Sequence, residues 1–196
     1  MVDLPGLSPE ALPGPQSVLG ESPVWCERRN LLFFIDSRAP ALRIFDPATR
    51  STRSFDLPET TGSICLTGTD RLLVAMTSGI FWLSTDGELG ECLVAPETEH
   101  PDNRFNDGRC DRAGRFVVGT MNDRAREPTG VLWQVCPDGT YRTLADDIIV
   151  PNSIAFSPSG DRMYFADTYR HAIHVFDYDL ANGALSNRRV FSDMKG

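Results

Sequence analysis

Short apolar runs, each preceded by a polar or glycine-containing turn, recur along this chain at nearly even spacing. Four of these runs align with one another, and they read NLLFFID, DRLLVAM, GRFVVGT and DRMYFAD. They begin at Asn30, Asp70, Gly114 and Asp161, so that the unit recurs every 40 to 47 residues. An apolar run of this length between turn signals is typical of a buried β-strand.

The segments on both sides of these runs repeat too. A short strand that ends in a turn precedes each run, and a strand followed by a tight turn comes after it. Aspartates ten residues apart also recur, as Asp36 with Asp46 and as Asp167 with Asp177. Further strands, such as STRSFDL and TYRTLA, complete a unit of four short strands. Four antiparallel strands in about 40–50 residues correspond to one blade of a β-propeller.

The repeat therefore predicts an all-β fold, a β-propeller, of which the sequence supplies about four to four and a half blades. We expect one domain over residues 1–196, with residues 1–15 as an N-terminal extension. No amphipathic helix pattern of the usual length occurs. A β-sandwich is the structural alternative, but a sandwich would not explain so regular a repeat.

The net charge of −8 narrows the range of partners. A nucleic-acid duplex or an anionic membrane would repel such a surface, so we expect neither as a partner. The N-terminal residues do not have the pattern of a signal peptide, and no segment has the length and apolarity of a membrane span. The five cysteines include no C-x-x-C motif, which favours reduced thiols in a cytoplasmic protein over a disulfide framework or a zinc site. The oligomeric state leaves no signal in the sequence.

Counting back from the second strand of each unit leads to the same position at the start of its first strand. The residues there are Glu21, Gly62 or Ser63, Asn106 and Asn152. The first strand of a propeller blade lines the central channel, so residues at this position should converge at one mouth of the channel. A solvated loop or an ordinary Asn-Asp-Gly turn would explain each polar residue alone, but not their shared position.

One carboxylate and two carboxamides make a set of hard oxygen ligands. Such a set suits Ca²⁺, Mg²⁺ or Mn²⁺, and it accepts Zn²⁺ if water completes the coordination. A site with few protein ligands leaves positions open for water and substrate, which is typical of a catalytic metal. The sequence does not select among these four metals.

Three motifs make the chain resemble the gluconolactonase and regucalcin (senescence marker protein) family of six-bladed propellers. They are LGESPVW at Leu19–Trp25, RFNDGRCDRAGRFVVGTM at Arg104–Met121 and VPNSIAFSPSGDRMYFADT at Val150–Thr168. The motifs are long, and they follow one another in the family's order and spacing. The resemblance implies a six-bladed ring, of which this chain holds only part.

The resemblance also implies roles for particular residues. In that family the glutamate of the first motif and the asparagine of the third bind one divalent metal ion, and these residues are Glu21 and Asn152 here. The arginine and asparagine of the middle motif, here Arg104 and Asn106, are implied to hold the substrate and its attacking water. The family's further metal ligand, an aspartate expected to be the general base, would lie beyond Gly196, so no catalytic residue is assigned within this chain.

The family's usual chemistry is the hydrolysis of sugar lactones to aldonic acids, which implies a small-molecule sugar lactone as substrate. Substrate choice would lie in loops at the channel mouth, such as Thr120–Thr129. A non-catalytic calcium-binding or protein-interaction propeller is the alternative from another class, and a metal-dependent esterase or phosphotriesterase is a third. No G-x-S-x-G motif occurs, and His100, His171 and His174 lack the spacing of a metal site or a triad.

Overall fold

A computed structural model describes residue 8 and residues 10–194. Within that part the secondary structure consists of β-strands and one short 3-10 helix at Thr168–Arg170, and no helix is long and apolar enough to cross a membrane. The strands are β1 (Gly20–Cys26), β2 (Leu31–Asp36), β3 (Ala41–Asp46), β4 (Ser51–Asp56), β5 (Thr61–Leu66), β6 (Arg71–Met76), β7 (Ile80–Ser84), β8 (Leu89–Val94), β9 (Asn103–Cys110), β10 (Phe116–Asn122), β11 (Gly130–Val135), β12 (Tyr141–Ile148), β13 (Pro151–Phe156), β14 (Arg162–Asp167), β15 (Ala172–Asp179) and β16 (Ala184–Asp193).

Every four consecutive strands form one antiparallel sheet, in which each strand pairs with the next along the chain. We call these sheets blade 1 (β1–β4), blade 2 (β5–β8), blade 3 (β9–β12) and blade 4 (β13–β16). The four aligned apolar runs of the sequence are the second strands of the blades, β2, β6, β10 and β14. The predicted all-β propeller arrangement is thus confirmed, with four blades in the described residues.

The first strands of successive blades lie side by side in the order β1, β5, β9 and β13. Apolar clusters fill the spaces between neighbouring blades. Between blades 1 and 2, for example, Phe33 and Ile44 pack with Val74 and Met76, and each of these side chains is almost fully buried. Burying one such side chain contributes about 1.5–3 kcal/mol. This packing fixes the starts of the first strands relative to one another.

Hydrogen bonds at matching positions also join neighbouring blades. Ser22 Oγ accepts the backbone N–H of Ile64 at 3.0 Å, and Asp107 Oδ2 accepts the backbone N–H of Ile154 at 2.8 Å. Each acceptor lies in a β-bulge of its own first strand, and each donor lies at or beside the bulge of the next blade. The two links therefore align blade 1 with blade 2 and blade 3 with blade 4 in the same way.

Cys65 on β5 and Cys110 on β9 form a disulfide bond, with their Cα atoms 6.4 Å apart. The expectation that all five cysteines are reduced thiols is therefore wrong for this pair, whereas Cys26, Cys92 and Cys136 are free. The paired residues are 45 positions apart, which is close to the length of one repeat. The absence of a C-x-x-C motif did not exclude this bond, because it joins the first strands of neighbouring blades, which lie far apart in the sequence.

The predicted N-terminal extension falls largely outside the described residues, because residues 1–7 and 9 are not described. The part of it that is described lies along blade 1. Thr52 Oγ1 donates to Pro13 O at 2.5 Å, and Arg43 Nη1 donates to Pro15 O at 2.6 Å. This segment therefore packs on β3 and β4.

Candidate functional site

A cleft of about 480 Å³ opens where the first halves of β1 and β13 meet the second half of β9. Its lining includes Glu21 from blade 1, Asp107 from blade 3 and Asn152 from blade 4, together with Arg109 and Thr168. The structure thus brings Glu21 and Asn152 to one cleft from distant parts of the chain. Asp107 adds a second carboxylate that the sequence did not single out.

β-bulges place Glu21 and Asn152 at equivalent positions. The pairing of β1 with β2 shifts register directly after Glu21, and that of β13 with β14 shifts directly after Asn152. The following residues, Ser22 and Ser153, both adopt left-handed backbone, with φ of 50° and 55°. A bulge inserts one unpaired residue and redirects the side chains beside it. The same local distortion in two blades therefore presents both side chains to the cleft.

Gly62 occupies the corresponding position of blade 2 and offers no ligand. A Cβ atom at Gly62 would lie 2.4 Å from Phe105 O and 2.5 Å from Asn106 O. The backbone of β9 fills the space that a side chain would need, so glycine permits the close approach. The neighbouring Ser63, the other candidate from the count along the chain, is buried and its Oγ has no hydrogen-bond partner.

Hydrogen bonds connect Arg104, Asn106 and Asn152 in a line. Arg104 Nη1 donates to Asn106 Oδ1 at 2.9 Å, and Asn106 Nδ2 donates to both Asn152 Oδ1 and Pro151 O at 2.8 Å. Asn152 Nδ2 in turn donates to Thr168 Oγ1 at 2.8 Å. These bonds fix the orientation of both carboxamides. A carboxamide oxygen has two lone pairs, so Asn152 Oδ1 keeps one for a further ligand.

Both carboxylates of the cleft have a raised pKa, so their negative charge is disfavoured there. Burial raises the pKa of Glu21 above its ordinary value, the nearby Asp107 raises it further, and Arg104 acts against both effects. Burial also raises the pKa of Asp107, although the N–H of Ile154 favours its charged form. Among the described residues, Glu21 accepts no hydrogen bond and forms no ion pair. A cation in the cleft would stabilise both charged carboxylates.

The donor set of the cleft fits a divalent cation. Glu21 and Asp107 supply carboxylate oxygens and Asn152 supplies a carboxamide oxygen, which are the donors that Ca²⁺, Mg²⁺ and Mn²⁺ prefer. Within residues 8 and 10–194, no group of three or more His, Cys, Asp or Glu side chains could hold a metal ion. Carboxamide or water oxygens are therefore required for any coordination in this cleft.

Two buried aspartates hold the chain just ahead of Glu21 and Asn152. Asp36 accepts the N–H groups of two residues that precede Glu21, at 2.8 and 3.2 Å. Asp167 accepts the N–H groups of two residues that precede Asn152, both at 3.1 Å. The sequence showed these aspartates as a repeat at the ends of β2 and β14 but assigned them no role in the site. The recurrence of these aspartates in two blades was the sequence signal from which their role beside the site could have been inferred.

His174, Asp138 and Asp123 lie outside the lining of this cleft. His174 is buried and stacks on Phe165 with ring centres 5.2 Å apart. Asp138 lies in an exposed turn, where it accepts the N–H of Thr140 at 2.9 Å. The predicted specificity loop Thr120–Thr129 contributes Asp123, whose Oδ1 lies 3.0 Å from Arg104 Nη2.

Comparison with known proteins identifies related sequences. The chain is 37% identical over 163 residues to the 6-deoxy-6-sulfogluconolactonase of Pseudomonas putida, an alignment that covers 83% of this chain and 56% of the relative. It is 30% identical over 177 residues to regucalcin of Xenopus laevis, covering 88% of this chain and 59% of the relative. The chain thus spans a little over half the length of these curated relatives.

The fold has a close counterpart among solved structures. The crystal structure of a calcium-binding protein, regucalcin, from Agrobacterium tumefaciens matches with a TM-score of 0.86 and 28% identity, covering 92% of this chain and 61% of that one. The family model described as "SMP-30/Gluconolactonase/LRE-like region" matches residues 19–196. That match includes all four blades and every residue of the cleft. The chain therefore belongs to the SMP-30/gluconolactonase/LRE-like family.

Proposed function

We propose that the protein is a metal-dependent hydrolase that opens sugar lactones to aldonic acids at the cleft of Glu21, Asp107 and Asn152. The observation that carries the proposal is the convergence of Glu21 and Asn152, from blades 1 and 4, on one cleft. Membership in a family with gluconolactonase relatives supports the choice of chemistry. The substrate is accordingly a small sugar lactone.

Glu21 and Asn152 are the proposed ligands of one divalent ion, which is Ca²⁺, Zn²⁺, Mn²⁺ or Mg²⁺. Glu21 offers a carboxylate that accepts no hydrogen bond from the described residues, and Asn152 Oδ1 is held in place by Asn106 at 2.8 Å. Asp107 adds negative potential beside them. A divalent cation in such a site supplies Lewis acidity, which polarises an ester carbonyl and promotes the deprotonation of water.

Arg104 and Asn106 are the proposed substrate-positioning residues. Both Nδ2 hydrogens of Asn106 are committed to Asn152 Oδ1 and Pro151 O, so Asn106 acts on the substrate mainly by orienting Asn152. Arg104 has a buried Nε without an acceptor, and its positive charge suits the developing oxyanion or a ring hydroxyl. The general base expected beyond Gly196 lies outside the sequence and stays a prediction.

Calcium binding without catalysis is the second candidate function. The oxygen-rich donor set would bind Ca²⁺ whether or not a substrate follows, and the related structure from Agrobacterium tumefaciens is described as a calcium-binding protein. Esters and phosphotriesters remain a third class of substrate for the same metal chemistry. The cytoplasmic location, and the lack of nucleic-acid and membrane partners, stay predictions from the sequence.

The test is lactone hydrolysis by this chain, followed in a pH-stat with five- and six-carbon aldonolactones. Each of the four metals is added in turn and then removed with EDTA, and a simple ester and a phosphotriester complete the panel. The diagnostic variant is Glu21→Gln, which keeps the shape of the side chain and removes its charge. Glu27→Gln is the matched control, because Glu27 is exposed in the turn that follows β1, away from the end that carries Glu21.

Metal-dependent lactone turnover that is lost in Glu21→Gln and kept in Glu27→Gln would support the proposal. If no lactone is hydrolysed, calorimetric titration of Ca²⁺ tests whether the protein binds calcium without catalysis. Calcium binding that depends on Glu21, with no turnover of any substrate, would favour the binding function. Turnover that EDTA and Glu21→Gln leave unchanged would contradict the proposed site.

A further inference from the structure

Three arginines surround the carboxylate of Asp123. Arg38 donates to it through two hydrogen bonds of 3.2 Å, one to each oxygen. Arg104 Nη2 lies 3.0 Å from Oδ1, and Arg126 Nη1 lies 3.4 Å from the same oxygen. We call Arg38, Arg104 and Arg126 the arginine cluster. Of these three arginines, only Arg104 has a role in the function proposed above, and Arg38 and Arg126 have none.

The arginine cluster lies beside the cleft and brings together neighbouring parts of the molecule. Arg38 follows β2 in blade 1, whereas Arg104 lies at the start of β9 and Arg126 lies between β10 and β11 in blade 3. Arg126 also lies over the Tyr169 ring of blade 4, with its Cζ 5.7 Å from the ring centre. Arg104 joins the cluster to the cleft through Asn106, because its Nη1 donates to Asn106 Oδ1 at 2.9 Å and Asn106 Nδ2 donates to Asn152 Oδ1 at 2.8 Å.

Positive charge exceeds negative charge within the arginine cluster. Three guanidinium groups share the one carboxylate of Asp123, which leaves two positive charges without a partner in the cluster. The Asp102 carboxylate, close to Arg104 in sequence, is paired with Arg124 instead. Arg104 is only 6% exposed, and its Nε is buried without a hydrogen-bond partner. A buried donor without an acceptor is costly, so a bound acceptor would be favoured there.

The outer part of the arginine cluster is open to solvent. The side chains of Arg38 and Arg126 are 40% and 28% exposed, and that of Asp123 is 26% exposed. An incoming anion can therefore reach these guanidinium groups. Guanidinium groups bind carboxylates and phosphates through paired N–H···O bonds, and a sulfonate offers the same arrangement of oxygens.

We propose that the arginine cluster is an anion subsite, and that the lactone bound in the adjoining cleft carries a sulfonate, phosphate or carboxylate group on its carbon chain. This inference rests on the proposed lactonase function and adds a substrate class to it. The anionic group of the substrate binds Arg38 and Arg126, while its lactone carbonyl lies near Glu21 and Asn152. A neutral lactone of the same length leaves the arginine cluster without this partner.

The kinetic test compares kcat/KM for gluconolactone with kcat/KM for its 6-phospho and 6-sulfo counterparts. We expect the anionic lactones to be preferred by the wild-type chain. In the double variant Arg38→Gln/Arg126→Gln, the ratio of anionic to neutral kcat/KM falls by about 10-fold to 100-fold, the loss expected for charge-assisted hydrogen bonds. Arg124→Gln is the control, because its side chain is 83% exposed, lies in the same loop and pairs with Asp102.

A binding measurement separates failure of this inference from failure of the proposed function. 6-Phosphogluconate and gluconate are titrated into the chain by calorimetry, which requires no turnover. Tighter binding of 6-phosphogluconate that is lost in the double variant supports the anion subsite, even if no lactone is hydrolysed. Equal binding of the two acids, or a kinetic ratio that the double variant does not change, overturns the inference. Hydrolysis of gluconolactone would then leave the proposed function standing.

Folding of the variants is checked by thermal unfolding followed by circular dichroism. If the double variant does not fold, the single variant Arg38→Gln replaces it in both experiments, because that side chain is 40% exposed and its loss leaves two arginines on Asp123. The expected change in the kinetic ratio is then at the lower end of the range. An unchanged ratio in the folded single variant again overturns the inference.

Discussion

Asn106 Nδ2 lies 2.8 Å from Asn152 Oδ1, so a side chain of blade 3 holds the proposed metal ligand of blade 4. The same nitrogen donates to Pro151 O, directly ahead of Asn152, at the same distance. Residues that orient a metal ligand from outside the coordination shell tune metal affinity strongly. Asn106 therefore acts on the cleft through the position of Asn152.

The first prediction concerns this hydrogen bond. Asn106→Ala removes the donor and leaves the Asn152 carboxamide free to rotate. We expect the affinity for Mn²⁺ to fall by about 10-fold to 100-fold, as measured by calorimetric titration. Asn182→Ala is the control, because Asn182 is exposed in an outer turn and bonds Asp179 at 2.6 Å. Equal Mn²⁺ affinity in wild type and Asn106→Ala would contradict this role.

The second prediction concerns the pH dependence of stability at Asp36. Burial tends to raise the pKa of Asp36, but four backbone N–H groups outweigh burial and hold the pKa below its ordinary value. A lowered pKa in the folded protein means that the carboxylate stabilises the fold above its unfolded-state pKa of about 3.9. This contribution is lost as the pH falls through the folded-state pKa of Asp36.

Asp36→Asn therefore lowers the free energy of unfolding at pH 7 by about 1–3 kcal/mol, because the amide group cannot accept all of these hydrogen bonds. The difference from wild type narrows as the pH is lowered from 5 towards 2, since the wild-type carboxyl group becomes protonated. Urea unfolding of both proteins between pH 7 and pH 2 measures this difference in the free energy of unfolding. Asp56→Asn is the control, because Asp56 is exposed at the end of β4. A difference that does not depend on pH would rule out this explanation.

Repetition along the sequence was sufficient to predict the blades and the shared position of Glu21 and Asn152. Each blade forms from four short strands that are neighbours along the chain, so its pattern is local. The shared position follows from a bulge at the start of the first strand, which also recurs. Features that repeat with the blades can therefore be found by aligning one repeat with another.

Contacts between blades could not be predicted in the same way. The Asp107 to Ile154 bond and the Arg38 to Asp123 pair join residues 47 and 85 positions apart. Such pairs depend on which faces pack together and on the rotamers of long side chains, and neither is encoded in a local period. The sequence also left open whether Gly62 or Ser63 occupies the position equivalent to Glu21 in blade 2. The structure assigns Gly62, because the backbone of Phe105 and Asn106 in β9 excludes a side chain at that position.

The third prediction concerns the bond between Cys65 and Cys110. Digestion without reductant should yield one peptide pair joined by these cysteines, identified by mass spectrometry. Reduction should lower the free energy of unfolding by about 2–4 kcal/mol, because the bond restricts the unfolded chain. The double variant Cys65→Ser/Cys110→Ser should not respond to reductant, whereas Cys92→Ser, at an exposed free cysteine, should respond as wild type does. Two alkylatable thiols at Cys65 and Cys110 in the purified protein would contradict the pairing.

The fourth prediction concerns the close approach of β9 to Gly62. Gly62→Ala would place a Cβ atom 2.4 Å from Phe105 O, a distance that requires the backbone of β5 or β9 to move. We expect a loss of about 1–3 kcal/mol in the free energy of unfolding, together with weaker metal binding, because Asn106 would shift with β9. Gly68→Ala is the matched control, since a Cβ atom there meets nothing within 4 Å. Urea unfolding and Mn²⁺ titration of both variants test the prediction. If Gly62→Ala were as stable as Gly68→Ala and bound Mn²⁺ equally well, the contact of Gly62 with β9 would not position the site.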